Sequence, residues 1–214
     1  MSEVRGYVEN LSVGRAGAGT FRALRSTPDG ALFIADANLA AAFEGRLFGA
    51  NMGVVTTPVT TAATTAITNT IAHAWVRVPD GTAIIPVYCR VVVESSGATT
   101  QGEGSVLIAQ NDIGVTGAVA VAGPISLNSA APVTSNCLPR QLGTATTAPT
   151  NPIELTRFSF AASAVNQHFE WNARELGIYP VIRGAGTWAI YLGGNAVVYY
   201  AQMIWAEFPE GTLS

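Results

Sequence analysis

The sequence predicts an antiparallel β-sandwich or jelly roll, and three observations lead there. Runs of β-prone residues recur from residue 46 onward, turn-forming clusters separate them, and no later segment carries a helical apolar period. Regular turns without intervening helices favour antiparallel pairing over a parallel sheet. An extended N-terminal arm, a hairpin and a short helix precede the sandwich. The expected division is an N-terminal section, residues 1–51, followed by a β domain, residues 52–214.

The arm is the stretch "LSVGRAGAGTFRALRSTP", residues 11–28, which holds Arg15, Arg22 and Arg25 and no acid. Its glycines favour an extended chain with local positive charge. Phe21–Arg25 and Ala31–Ala35 flank Thr27-Pro28-Asp29-Gly30, so they read as a hairpin in which proline presets φ and glycine takes the left-handed position. "DANLAAAFEG" then reads as a short helix. Asp36 caps it, Leu39 and Phe43 lie one turn apart, and Gly45 ends it. Two helical turns are not stable alone in water, so this helix must dock on its own core or on a partner.

From Arg46 strands take over. "AWVRVPDGTAIIPVYCRVVVES" sets a Pro-Asp-Gly turn between two β runs, and alternation in the second puts Ile85, Val87, Cys89, Val91 and Val93 on one face. "SGATTQGEG" reads as a loop before the strand "SVLIAQND", and "IELTRFSFAAS" and "QHFEWNARE" give two more strands. The long runs on either side of Gly193-Gly194-Asn195 read as a hairpin. In all, about seven to nine strands are expected. "VVTTPVTTAATTAITNTIA", residues 54–72, carries eight threonines and no charge; it reads as the first strand of the β domain and its approach, packed at a subunit boundary.

Composition narrows the function. Nearly half of the chain (49%) is hydrophobic and only 12% is charged, against roughly 25% in ordinary soluble domains, so much of the surface is expected to be covered. The longest apolar stretch, residues 113–127, is shorter than the roughly 20 residues a membrane span needs, and Pro124 interrupts it. The N-terminus lacks the basic start and apolar run of a signal peptide, so the chain is expected to be soluble and made in a cytoplasm. A net charge of −3 argues against nucleic acid as a partner. Cys89 and Cys137 have no metal spacing and are expected to be buried free thiols.

No catalytic constellation emerges. Nucleophile elbow, Walker loop and zinc-helix motifs are absent, and "GRAGAG" lacks dinucleotide spacing. His168 and Glu170 would share a strand face at i, i+2, without a third ligand. Glu94 and Glu103 flank a loop where they could face one another across a hairpin, as glycosidase carboxylates do, although solvated strand ends are the commoner outcome. Trp75, Trp171, Trp188 and Trp205 either pack in the core or line a sugar site. No enzyme activity, metal or cofactor is expected.

Three stretches together resemble a group of small structural proteins of tailed bacteriophages. They are the turn Asp29 to Leu32, the transition Gly45 to Asn51 ("GRLFGAN") and the closing strand Trp205 to Pro209 ("WAEFP"). The resemblance covers about the first fifty and the last thirty residues. Asp29 directly before Gly30 departs from the group's commoner spacing. The resemblance implies a virion component: a head decoration or cement protein with a jelly-roll domain, often trimeric, seated on the outer capsid surface and bound to the major capsid protein and to itself. It carries over no catalytic residue. On this expectation Arg15, Arg22 and Arg25 pair with acidic patches of the shell or of neighbouring copies, and Phe21, Leu39 and Phe43 are apolar anchors. The alternatives are a carbohydrate-binding head-fibre or tail-tip module that recognises a host glycan, and a ring-forming tail-tube or connector component.

Overall fold

A computed structural model describes residues 5–7, 21–23, 41–42, 45–54, 56–61, 64–98, 101–116, 119–121, 123–130, 132–142, 145–162 and 166–213. β1 (Arg5–Tyr7) and β2 (Phe21–Ala23) form an antiparallel ladder. β3 (Leu47–Met52) and β4 (Val59–Thr60) follow, then β5 (Ala74–Val78), β6 (Thr82–Ser95) and β7 (Gln101–Ala109). An excursion carries β8 (Val115–Thr116), β9 (Val119–Ala120), β10 (Ile125–Ser126), β11 (Leu138–Gln141) and β12 (Ala145–Thr146). β13 (Ile153–Ala161) and β14 (Gln167–Asn172) lead to a one-turn helix, α1 (Ala173–Leu176). β15 (Ile182–Arg183), β16 (Gly186–Gly193) and β17 (Val198–Pro209) close the chain with a 3-10 turn.

These strands make a β-sandwich. Sheet A runs β10-β3-β17-β6-β14, with β4 added to β17 and β15 to β6; sheet B runs β13-β7-β16-β5-β11-β9. Eight strands have five residues or more, and their pairing is nested: β3 with β17, β5 with β16, β6 with β14, β7 with β13. This is the pairing of one long hairpin, with its tip between β7 and β13, rolled until its halves face each other. Successive long strands therefore change sheet at every step except from β7 to β13.

The expected hairpin at Gly193-Gly194-Asn195 is corrected by this wrap. β16 lies in sheet B and β17 in sheet A, so the turn crosses between sheets. The glycines serve a close approach: a Cβ on Gly193 would come within 2.5 Å of Ala66 C and Ile67 N. The left-handed positions are Asn195 and Ala196, at φ 56° and 57°. The Pro-Asp-Gly turn does form, with Gly81 at φ 77°, and it too crosses from one sheet to the other.

The expected face of β6 also changes. Opposite β17 the register shifts between Ile204 and Trp205, which pair with Tyr88 and Pro86, so Val87 is an extra residue. Such a bulge swaps the parity of the strand. Cys89, Val91 and Val93 point into the core as expected, but Ile84 and Pro86 replace Ile85 and Val87 there. Ile85 and Val87 turn outward, where they meet Ala41, Ala206 and Phe208. Of the expected helix, Ala41 and Ala42 are helical, Gly45 has φ 70°, and Ala41 packs here on the chain's own sheet; residues 36–40, 43 and 44 lie outside the described residues.

Two loop readings are corrected as well. β7 begins at Gln101, inside "SGATTQGEG", because Gly102 and Gly104 lie beneath the rings of Phe160 and Phe158, their partners in register. "QHFEWNARE" is a strand only to Asn172, whose side chain accepts from Arg174 N–H at 3.0 Å and caps α1; Gly177, at φ 65°, stops it. The expected boundary at residues 51/52 falls within β3, which pairs along its length with β17. Ala31–Ala35, the expected partner of Phe21–Arg25, lies outside the described residues, and β2 pairs with β1.

The core between the sheets holds Phe48, Met203, Trp205, Trp188, Ile190 and Leu192. Trp171 meets Trp188 edge-on at 6.2 Å, and Phe48 stacks on Trp205 at 6.3 Å. A second layer covers the outer face of sheet B, where Trp75, Ala189 and Tyr191 are buried with Ala72 and Ile113 and against Ile67. Residues of the threonine-rich stretch form part of that cover. Among its described residues the one named strand is the two-residue β4, and Thr64 C=O accepts from both Gly194 and Asn195 N–H, at 2.9 and 2.8 Å. The stretch thus packs on its own chain and not as the first strand of the sandwich, which is β3.

Glu207 fastens the excursion to sheet A. Its carboxylate accepts from Ser135 Oγ at 2.5 Å, Asn136 N–H at 2.8 Å and Trp205 Nε1 at 3.4 Å, in a site where Glu207 is only 7% exposed. Glu207→Ala leaves these donors without their acceptor, so urea denaturation should show a loss of about 3 kcal/mol, against a smaller loss for Glu207→Gln.

Candidate interaction surfaces

Two of the six expected contact residues fall within the described structure. Phe21 and Arg22 are consecutive residues of β2, opposite Tyr7 and Gly6 in the ladder. Arg15, Arg25, Leu39 and Phe43 lie outside the described residues.

The candidate chemical pairs resolve into structural roles. His168 and Glu170 are exposed on β14, opposite Val92 and Arg90, and Glu170 makes a 3.5 Å surface ion pair with Arg90. Among the described residues no group of three His, Cys, Asp or Glu is placed to hold a metal. Glu94 and Glu103 sit on β6 and β7, in opposite sheets, so the expected facing pair across a hairpin does not form. Glu103 instead pairs with Arg157 at 3.4 Å, and Arg157 also grips Glu154 at 2.9 Å, which holds the Glu154 carboxyl below its usual range. All four tryptophans are buried, at 2% exposure or less, so none lines a sugar site.

The buried titratable groups are likewise structural. Cys89 and Cys137 are free and buried, as expected, and burial pushes both thiols far up, away from the reactive thiolate. His73 precedes β5, with Nδ1 accepting from Leu192 N–H at 2.9 Å and its carbonyl accepting from Tyr199 OH at 2.7 Å. Burial lowers its pKa to about 4, which keeps the imidazole neutral.

What the surface offers is apolar contact. Ile153, Leu176, Ile178, Tyr179 and Val181 are each 46% to 56% exposed. Four of them come from residues 176–181, the last residue of α1 and its link to β15, and Ile153 lines, with Val181, a groove of about 380 Å³. Exposed side chains of this size in one region make a candidate contact surface. The sequence reading missed it. The available signal was "LGIYPV": large apolar residues between Gly177 and Pro180, in a segment with neither strand alternation nor helical period.

A second surface is the groove of about 640 Å³ at the edge where β3 and β10 of sheet A face β9 and β11 of sheet B. Its walls include Met52, Val54, Val121, Ile125, Leu142 and Tyr200, and among the described residues no Asp, Glu, Lys or Arg lines it. The excursion bounds it: β9 belongs to sheet B and β10 to sheet A, and Val121 and Gly123 line the gap beside β3.

No protein-family model matches the chain, and no curated protein sequence matches it.

The His73 site has a measurable consequence. Its folded pKa lies below the unfolded value of 6.5, so the unfolded chain binds the proton first as pH falls. The stability His73 contributes is complete above pH 6.5 and is lost as pH falls toward 4. Between pH 7 and 5 this amounts to about 2 kcal/mol. A His73→Asn variant should lack that share of the pH dependence in paired denaturation curves; equal slopes for both proteins would show that the imidazole is not held neutral.

Proposed function

We propose that the chain is a non-enzymatic decoration, or cement, protein of a bacteriophage head, which binds the outer capsid surface as an oligomer, most simply a trimer, and stabilises the shell. The observation that carries this reading is the pairing of scarce charge with exposed apolar surface: 12% charged residues and five large apolar side chains grouped at Ile153 and 176–181. Interface cores are depleted in charge in this way, and stable interfaces bury roughly 1,600 Å². The nested strand order supports the jelly-roll form, because rolling up an eight-strand hairpin produces two interlocked Greek keys. The closing motif also finds a purpose, since Trp205 and Glu207 hold the core and the excursion together. With the tryptophans buried, no observation favours the carbohydrate-binding alternative.

Two experiments test the reading. Because β3 is a strand of sheet A, the N-terminal truncation must stop before it: deletion of residues 1–40 should abolish attachment to purified capsids and leave the sandwich folded by circular dichroism. Replacing Arg15, Arg22 and Arg25 by alanine should lower occupancy several-fold, with a weaker dependence on salt than the parent shows. Attachment that survives the deletion places the docking surface elsewhere. Separately, Ile178→Asp with Tyr179→Asp should reduce the mass by light scattering to that of a monomer while shifting stability by no more than about 0.5 kcal/mol.

A further inference from the structure

Leu192 is the residue that ties β16 to the cover formed by residues 64–67. Its C=O accepts from Thr64 Oγ1 at 3.4 Å, and its N–H donates to a side chain, His73 Nδ1, at 2.9 Å. In the β5–β16 ladder Ala74 lies opposite Ile190, so the same register would bring Ala72 opposite Leu192. β5 starts only at Ala74, and Ala72 belongs to the second layer. The imidazole therefore stands where the ladder's next acceptor would be. Just beyond, Thr64 C=O accepts from Gly194 and Asn195 N–H, and Ile67 N–H donates to the Glu103 carboxylate at 3.5 Å. Thr65 and Ala66 are exposed, so the cover is a small unit held by few bonds, the kind that opens before its sheet does.

We propose that His73 is an acid-sensitive latch: when its imidazole takes up a proton, residues 64–67 part from residues 192–195 while the two sheets stay folded. The latch does not depend on the capsid reading. Because Nδ1 accepts, the neutral ring carries its proton on Nε2, which is buried and has no hydrogen-bond partner among the described residues. A second proton would go to Nδ1 and turn an acceptor into a donor aimed at the Leu192 N–H. The imidazolium would then hold two buried N–H groups without an acceptor, a state the site escapes by opening to water.

The neighbouring titratable groups leave this role to His73. On β16 Tyr191 adjoins Leu192, and on β17 the Tyr199 hydroxyl donates to His73 C=O; burial pushes Tyr191 up to about 12 and Tyr199 further, so both stay neutral in acid. β11 brings Arg140, opposite Trp75, a cation that gives an imidazolium no support. β7 brings Glu103, opposite Gly193, which also pairs with Arg157 at 3.4 Å. Glu103 is thus the one rival to be controlled for among the described residues. With the cover open, His73 takes its ordinary pKa of 6.5, against about 4 when held. The open form binds the proton first as pH falls, so acid favours opening, and between pH 7.5 and 4.5 its population rises about 70-fold.

Amide hydrogen exchange on the full-length chain tests this, with rates corrected for the intrinsic effect of pH. The amides of Leu192, Gly194 and Asn195 should lose protection about 70-fold between pH 7.5 and 4.5, while the central strands β6 and β17 keep theirs. His73→Asn offers an amide oxygen to the Leu192 N–H but does not titrate, so its loss over the same range should stay below about threefold. Glu103→Gln should respond as the parent does. Unchanged protection in the parent, an equal loss in β6 and β17, a full response in His73→Asn or none in Glu103→Gln each overturns the proposal. The ring nitrogens give a reading that needs no variant: their NMR shifts at pH 7.5 should show the proton on Nε2, and a proton on Nδ1 overturns the latch.

Discussion

The sandwich depends on keeping β16 dry on both faces. All eight of its residues, Gly186–Gly193, are buried. A strand in the middle of a two-layer sandwich normally shows one face to water. Here Trp188, Ile190 and Leu192 fill the space between the sheets, while Ala189 and Tyr191 require a roof of their own. Ile113 and Ile67 belong to that roof, and hydrogen bonds hold it down. Thr187 Oγ1 donates to Asn111 C=O at 2.8 Å and accepts from Ile113 N–H at 3.3 Å. At the far end Gly193 and Gly194 let residues 64–67 come close enough to seal the edge. The buried neutral His73 belongs to the same constraint, since a charge beside this strand has no water to solvate it.

That constraint separates what the sequence shows from what it hides. The β class, most strand positions and the left-handed glycines at 45 and 81 follow from local chemistry, and the structure contains all of them. Strand partnership does not, because Gly193-Gly194-Asn195 has the same residues whether a turn closes a hairpin or passes between sheets. The deciding fact is the approach of Ala66 and Ile67, more than a hundred residues earlier in the chain. The bulge at Val87 is hidden for a related reason: four consecutive β-branched or apolar residues read the same in either parity, and only the register opposite β17 reveals the extra one. Gly102 and Gly104 mimic loop residues until Phe158 and Phe160 are seen to lie over them.

The candidate sites follow the same division. Pairs chosen by sequence proximity, Glu94 with Glu103 and His168 with Glu170, are separated by the wrap or reduced to a surface ion pair. The apolar surface at 176–181 was invisible because periodicity methods look for a regular face, and this segment has none. Its exposure is a consequence of topology. The connection from β14 to β16 must cross from sheet A to sheet B at the end of the sandwich, beyond the reach of either sheet.

The scarcity of charge then has two separable origins. One is internal: Ile67 and Ala72 of the threonine-rich stretch are spent in a second layer over sheet B, and Thr61 Oγ1, beside β4 on sheet A, accepts from Val197 N–H at 2.9 Å without bringing charge. The other is the pair of apolar surfaces left over, and they differ in kind. The 176–181 region is flanked by Arg174, Glu175 and Arg183, so charges surround its contact area. Among the described residues the groove beside β3 has no charged lining. A side-chain surface with charges at its rim suits a partner whose own surface sets the orientation. On the proposed reading, these surfaces hold copies to one another and to the shell. A chain that must do both with 214 residues leaves little exterior for charge.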